Sequence, residues 1–137
     1  MTTINIKSTA TWLLRLVAAV IMLQTLWFKF SASEESVYIF STLGMEPWGR
    51  IGIGVMELIA SILVLYPRTS VFGGVLAMGL MSGAIFFHLS KLGIEVMNDG
   101  GQLFAYAILV FAASLALVLM HRKQIYSLIR LKTKYWV

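Results

Sequence analysis

The stretch RIGIGVMELIASILVLYP, residues 50–67, decides the fold. From Ile51 to Leu65 it carries one charged residue, Glu57, in an otherwise apolar run. A membrane-crossing helix takes about 20 mainly apolar residues, so this run reads as a short membrane helix, near the lower limit of length. Three longer runs repeat the pattern, and the four predicted helices are Trp12–Phe30, Arg50–Tyr66, Val71–Leu89 and Leu103–Met120. The whole composition agrees. Of 137 residues, 59% are hydrophobic and 12% charged, where a soluble domain has about a quarter charged; the mean hydropathy is +0.85. The expected fold is an all-α membrane protein, one domain over residues 1–137, built as a compact antiparallel four-transmembrane-helix bundle.

The connections refine this picture. The tight turn YPRTS (66–70) makes the second and third helices antiparallel neighbours. The longest loop, Ser31–Gly49, contains Val37, Phe40 and Leu43 at helical spacing. It predicts a short amphipathic helix in the outer interface, closed by Gly44 and Pro47, with Trp48 at headgroup depth. The third loop, KLGIEVMNDGG (91–101), ends in a flexible turn. The tail HRKQIYSLIRLKTKYWV (121–137) sets Ile125, Leu128 and Ile129 among cations. It reads as a basic amphipathic helix on an anionic cytoplasmic leaflet. Gly79-xxx-Gly83 and Ala112-xxx-Ala116 are spacings that let membrane helices approach closely.

The net charge of +5 is explained by topology and calls for no nucleic-acid partner. Five of the eleven Lys and Arg residues lie in the tail, and Lys7 and Arg68 fall on the same side of the bundle. The other two loops hold Glu34, Glu35, Glu46, Glu95 and Asp99. The positive-inside rule therefore places both termini in the cytoplasm. The small residues SAS at 31–33 resemble a signal cleavage site, but the preceding run is long and contains Arg15, so cleavage is not expected. There is no cysteine, which removes disulfides, thiol redox chemistry, iron–sulfur ligation and thiolate zinc sites. Two histidines, His88 and His121, lie at opposite ends of the bundle, so they do not hold a haem between them. No flavin or nicotinamide fingerprint is present, and no metal site or built-in cofactor is expected.

Residues seven or eleven apart share a helix face. Glu57 shares one with Arg50, Gly54, Ala60 and Ser61; His88 lies above Gly74, Ala77, Met81 and Ala84. The first helix aligns Arg15, Ala18, Met22, Thr25 and Lys29, and the fourth aligns Gln102, Ala105, Tyr106, Ala113 and Ala116. Ionisable groups in membrane helices face the bundle interior or a wet cavity, so the four stripes are expected to face one another. At about 1.5 Å per residue, Glu57, Lys29, His88, Gln102, Tyr106 and Arg50 converge on the outer half, whereas Arg15 lies near the inner surface.

Each residue has a plainer reading. Arg15 and Lys29 are long enough to snorkel to the two interfaces, and for Arg15 that reading is preferred. His88 suits a single interfacial hydrogen bond, Tyr106 an aromatic belt, and Gln102 a helix cap. Glu57 has no such alternative: a carboxylate this deep costs about 2.5–3.5 kcal/mol on insertion scales, and its side chain is short. A Glu, a His and a Tyr around a lipid-accessible cavity suit proton-coupled chemistry on a lipophilic ring such as a quinone. Glu57 and His88 would then exchange protons, with Lys29, Arg50, Gln102, Tyr106 and Arg15 as candidate ligand-binding residues.

The order of features resembles the DoxX-like family of small four-helix membrane proteins. The pieces that carry the resemblance are LLRLVAAVIMLQTLWFKF, STLGMEPWGRIGIGVMELIASILVLYPRTS, MSGAIFFHLS and NDGGQLFAYAILVFAASLALVL. The resemblance implies that Arg15, Lys29, Glu57 and His88 are the positions to carry over. Relatives include the small subunit of a thiosulfate:quinone oxidoreductase, a methylamine-utilisation membrane protein and a receptor-assembly chaperone. It implies an accessory of membrane redox metabolism that holds a quinone and works with a redox partner protein, within the lipid bilayer and as a candidate homo-oligomer. A small proton-coupled transporter and a membrane assembly factor are the alternative readings.

Overall fold

The computed structural model of the chain describes residues 6–123. It contains α1 (Ile6–Phe30), α2 (Glu34–Thr42), α3 (Trp48–Leu65), α4 (Ser70–Phe87) running into a π-helical turn (His88–Leu92), and α5 (Gln102–Met120). Four segments are long and apolar enough to cross a membrane: Ser8–Phe30, Trp48–Leu65, Ser70–Leu92 and Gln102–Met120. The expected four spans and the short helix between the first two are present, with α1 starting earlier and the third span continuing through the π-helical turn to Leu92, further than the sequence suggested. The basic tail expected at 121–137 lies, beyond Lys123, outside the described residues.

The spans pack in a ring, α1 against α3, α3 against α4, α4 against α5 and α5 back against α1. Each neighbour runs antiparallel. At one end α2 lies across the ring, at the other the chain begins and α5 finishes. Lipid offers helices no hydrophobic reason to associate, so packing of small side chains does the work. Accordingly the core is Ala18, Met22, Ala60, Val64, Ala77, Met81, Ala107, Val110, Ala113 and Leu117. Large apolar side chains such as Leu13, Val20, Ile62, Val75 and Leu119 point outward.

The closest helix contacts are not where the small-residue spacing placed them. A Cβ at Gly73 would lie 2.5 Å from the backbone nitrogen of Val64, and one at Gly74 would lie 2.9 Å from Val118. Gly79 and Gly83 have nothing within 4 Å. Gly73 and Gly74 thus let α4 touch α3 and α5 near the terminal end, while the helices part toward the α2 end. Gly73→Ala is expected to destabilise the bundle by about 1–3 kcal/mol, because backbone cannot yield as a side chain does. Thermal unfolding in detergent should show it, with Gly79→Ala unchanged as the control.

Two caps shape the α2 end. Ser33 accepts a hydrogen bond from Ser36 N at 3.2 Å, and Glu34 and Glu35 fall in the first turn of α2, where the helix dipole favours acids. Asp99 accepts from Val96 N, Gly101 N and Leu103 N at 3.0, 2.8 and 3.3 Å. The NDGG segment is therefore a fastened turn, where sequence reading expected a flexible one. Asn98 and Gly101 take positive φ, and so does Met97.

Candidate functional site

Glu57 is 2% exposed, on the face of α3 that also buries Arg50, Gly54, Ala60, Ser61 and Val64. Lys29, from the far end of α1, places its Nζ 3.1 Å from both carboxylate oxygens. Thr25, one turn earlier on α1, has its hydroxyl 3.3 Å from Glu57 Oε2 and 3.0 Å from Met22 O. Its single proton serves one acceptor at a time. The ammonium has three donors and spends two on Glu57, which leaves one for a further acceptor. This pair sits where water is scarce, so its mutual attraction is strong and each charge depends on the other.

The pair lines a cavity of about 260 Å³ in the α2 half of the bundle. That is just below the usual range of ligand pockets, about 300–1,000 Å³. Met22, Ile53, Met81, Ala84, Phe87 and Val110 supply apolar walls, and Phe40 and Leu43 close it from α2. His88 is also on its wall, 5% exposed. Its Nδ1 is 2.9 Å from Gly93 O and so carries the hydrogen, which leaves Nε2 as the other ring position for exchange. Phe104 packs edge-to-face on the ring at 5.6 Å.

The cavity has two sides. On α4 its lining passes Leu80 and Ala84 and reaches Gly83 and Gly79. Gly73, Leu80 and Phe87 are seven apart and share the face that meets α3, so this side opens between α3 and α4, toward the lipid. On the opposite side a polar vestibule of about 350 Å³ lies between α1 and α5, lined by Gln24, Thr25, Ser33, Glu35, Gln102 and Tyr106 among others. Thr25, Glu35 and Tyr106 border both spaces. Gln102 Nε2 donates to the Tyr106 hydroxyl at 2.8 Å.

Glu35 lies at this border, and the charge of Asp99, in the 93–101 loop, acts on its carboxyl. Burial pushes the Glu35 carboxyl above its usual range, and the adjacent Asp99 charge adds to the effect. Burial works against ionisation of Asp99 as well, but its three backbone N–H donors, with a contribution from His88, outweigh it and hold that carboxyl below its usual range. Asp99 therefore contributes stability that is present above the ordinary Asp range and lost as pH falls through its lowered value.

Of the residues singled out in the sequence, the structure brings Lys29, Glu57, His88 and Tyr106 to one cavity, with Gln102 in the vestibule beside it. Arg50 is elsewhere: its Nε is 2.9 and 3.0 Å from the two carboxylate oxygens of Glu46, and its Nη1 donates to Lys29 O. Arg15 lies at the terminal end and does not snorkel. It is 4% exposed, donates from Nε to Ser70 Oγ at 2.9 Å, faces His121 and stacks on Trp12. The stripe on α5 is also displaced. The inward face is Ala107, Val110, Ala113, Ser114 and Leu117, while Gln102 and Ala105 are exposed. Sequence reasoning gave Glu35 no role. The Asp99 charge that acts on it is in a distant loop, and nothing local announces the proximity.

A sequence model of the DoxX-like family matches residues 13–114. No curated protein and no solved structure matches the chain significantly. The matched region contains α1 from Leu13 onward, all of α2, α3, α4 and most of α5, and with them every residue that lines the cavity.

Proposed function

The chain belongs to the DoxX-like family of membrane proteins, and from that premise we propose that it holds the ring of a quinone, or of a comparable lipophilic carbonyl compound, as an accessory of membrane redox metabolism. The observation that supports this best is the Lys29–Glu57 pair on the wall of a mainly apolar cavity that His88 and Tyr106 also line. Lys29 retains a donor for a ring carbonyl and a charge to stabilise an anionic ring. Glu57 and His88 are placed to exchange protons with it. Tyr106 stands at the vestibule, where protons reach the cavity from water. The ring enters from the bilayer between α3 and α4. Electrons come from a partner protein, since the chain has no cysteine for an iron–sulfur centre, no flavin or nicotinamide fingerprint, and two histidines too far apart to hold a haem between them.

The location follows from charge. Arg68, Arg122 and Lys123 lie at the terminal end, and Glu34, Glu35, Glu46, Glu95 and Asp99 at the α2 end. With cations on the cytoplasmic side, both termini face the cytoplasm, and α2 and the vestibule face outward; the bacterial inner membrane is the setting that goes with the family reading.

Mass spectrometry of the lipophilic molecules retained through purification in mild detergent tests the reading. Wild type should keep a quinone, and Glu57→Gln should keep about a tenth or less, as expected for losing one hydrogen bond to a charged group. Bulk phospholipid alone in both would remove the quinone reading and put a proton-coupled transporter or an assembly factor ahead of it.

A further inference from the structure

The Lys29–Glu57 pair meets the two ends of the bundle on unequal terms. Toward α2, one hydroxyl joins it to the vestibule. Thr25 borders both spaces, and its Oγ1 lies 3.3 Å from Glu57 Oε2 and 3.0 Å from Met22 O. Phe28, Ser33, Glu35, Leu103 and Tyr106 also border both, but among the described residues only Thr25 and Lys29 have side chains hydrogen-bonded to the carboxylate. A hydroxyl donates one hydrogen bond while it accepts another. Thr25 is thus placed to pass its own proton to Glu57 and take a replacement from a hydronium in the vestibule, which leaves as water. The hydroxyl is restored at the end, and the reverse order releases a proton.

Away from α2 the pair meets packed side chains. Ala18, Ala60, Val64, Ala77 and Leu117 are wholly buried, and Gly73 and Gly74 bring α4 close to Val64 and Val118. The hydroxyls here are spent on backbone: Ser61 Oγ donates to Glu57 O at 2.7 Å, and Ser70 Oγ has Val64 O and Tyr66 O at 2.9 and 3.1 Å. Ser114 Oγ is buried with no hydrogen-bond partner among the described residues, so it has no neighbour to pass a proton to. Beyond them Arg15 closes the end, with Nε on Ser70 Oγ, Nη2 facing His121 Nε2 and the guanidinium over Trp12. The chain has six acidic residues. Five lie at the α2 end and the sixth is Glu57, and none of them pairs with Arg15. A fixed positive charge at a constriction turns protons away.

We propose that Glu57 exchanges protons with the α2 side of the membrane only, through the Thr25 hydroxyl, with Arg15 sealing the opposite end. This access gives a side to the protons of the quinone reading above, and rests on that reading only for what consumes them. A proton-coupled carrier would have to open Glu57 to each side in turn, so one-sided access favours the accessory role over transport. The other titratable groups on the cavity wall are Lys29 on α1, Glu35 on α2, His88 after α4 and Tyr106 on α5.

A membrane-permeable carbodiimide modifies a carboxyl only while it is protonated, and mass spectrometry of the digested protein reads Glu57 apart from Glu35. Right-side-out and inverted membrane vesicles give access to each face. An impermeant thiol reagent on Ser41→Cys, exposed on α2 in a chain with no cysteine of its own, first fixes which side α2 faces. Modification of Glu57 should then rise about tenfold or more as pH on the α2 side falls from about 8 to about 5, a range that takes in buried and solvated carboxyls. The same fall on the other side should leave it unchanged. A response to the other side, to both sides or to neither overturns one-sided access. The relay is timed in the purified protein, where a light-released proton is followed into the Glu57 carboxyl by an infrared band that Glu57→Gln removes. Thr25→Val, which keeps the shape without the hydroxyl, should slow this uptake about a hundredfold, the low end for a positioned proton-transfer group. Thr25→Ser should restore the wild-type rate. Equal rates in wild type and Thr25→Val overturn the part assigned to Thr25. Neither measurement needs a quinone, so proton access and the ligand can fail independently.

Discussion

Replacing Lys29 by Met should cost the folded bundle about 3–5 kcal/mol, the loss typical of removing one partner from a buried ion pair. Glu57 is 2% exposed, and both its oxygens are satisfied by the same ammonium. Without Lys29, the Thr25 hydroxyl is its remaining side-chain donor. The carboxylate must then stay charged in apolar surroundings or take up a proton, and either outcome disfavours the folded state at neutral pH. The double variant Lys29→Met/Glu57→Gln should recover much of the loss, because no buried charge remains. Reversible unfolding in mixed micelles measures both. A double variant as unstable as the single one would mean that Lys29 acts through packing alone and not through the pair. Recovery has a consequence for function. A pair whose joint removal is nearly neutral is not maintained for stability, so what it does in the cavity is the remaining reason for its presence.

How much of this was legible depends on what fixes each feature. The spans follow from uninterrupted apolar runs, and the inward faces of α1, α3 and α4 follow from the polar residues that mark them. Glu57 and His88 are 5% exposed or less, as the stripes predicted, and Arg15 is as deeply buried, against the snorkelling that its length suggested. The face of α5 was not legible, because that helix is apolar all round. Gln102 and Tyr106 mark its flank toward α1, where the vestibule makes polar groups acceptable, and not its core. The partner of Glu57 was ambiguous for a different reason. Lys29, Arg50 and His88 all lie near its level, and only packing decides among them. Here one clue went unused: Glu46 and Arg50 are four apart, a spacing that favours a local pair and removes Arg50 from the competition. The influence of Asp99 on Glu35 depends on how α2 folds back over the ring, which no local pattern specifies.

The contrast between the two glycine pairs on α4 leads to a second large effect. Gly73 holds α4 against the α3 backbone, while Gly83 and Gly79 border the cavity and leave open space where side chains would be. If the lipophilic ring enters there, Gly83→Phe should fill the opening without touching Lys29 or Glu57. Exchange of a bound short-chain quinone into quinone-free liposomes should slow about tenfold or more, the effect of raising the barrier by about 1.4 kcal/mol. Thermal stability should be unchanged, since the new ring occupies space now empty of protein. Gln102→Leu, on the vestibule side, should leave exchange at the wild-type rate. Slow exchange in Gly83→Phe with normal exchange in Gln102→Leu separates the paths: the ring moves through the lipid side and not through the vestibule. Unchanged exchange in Gly83→Phe would instead place the ring's entrance under α2. That separation has a physical purpose. A cavity that admits its ring only from the bilayer can keep water away from the Lys29–Glu57 pair, and low polarity is what gives that pair its strength.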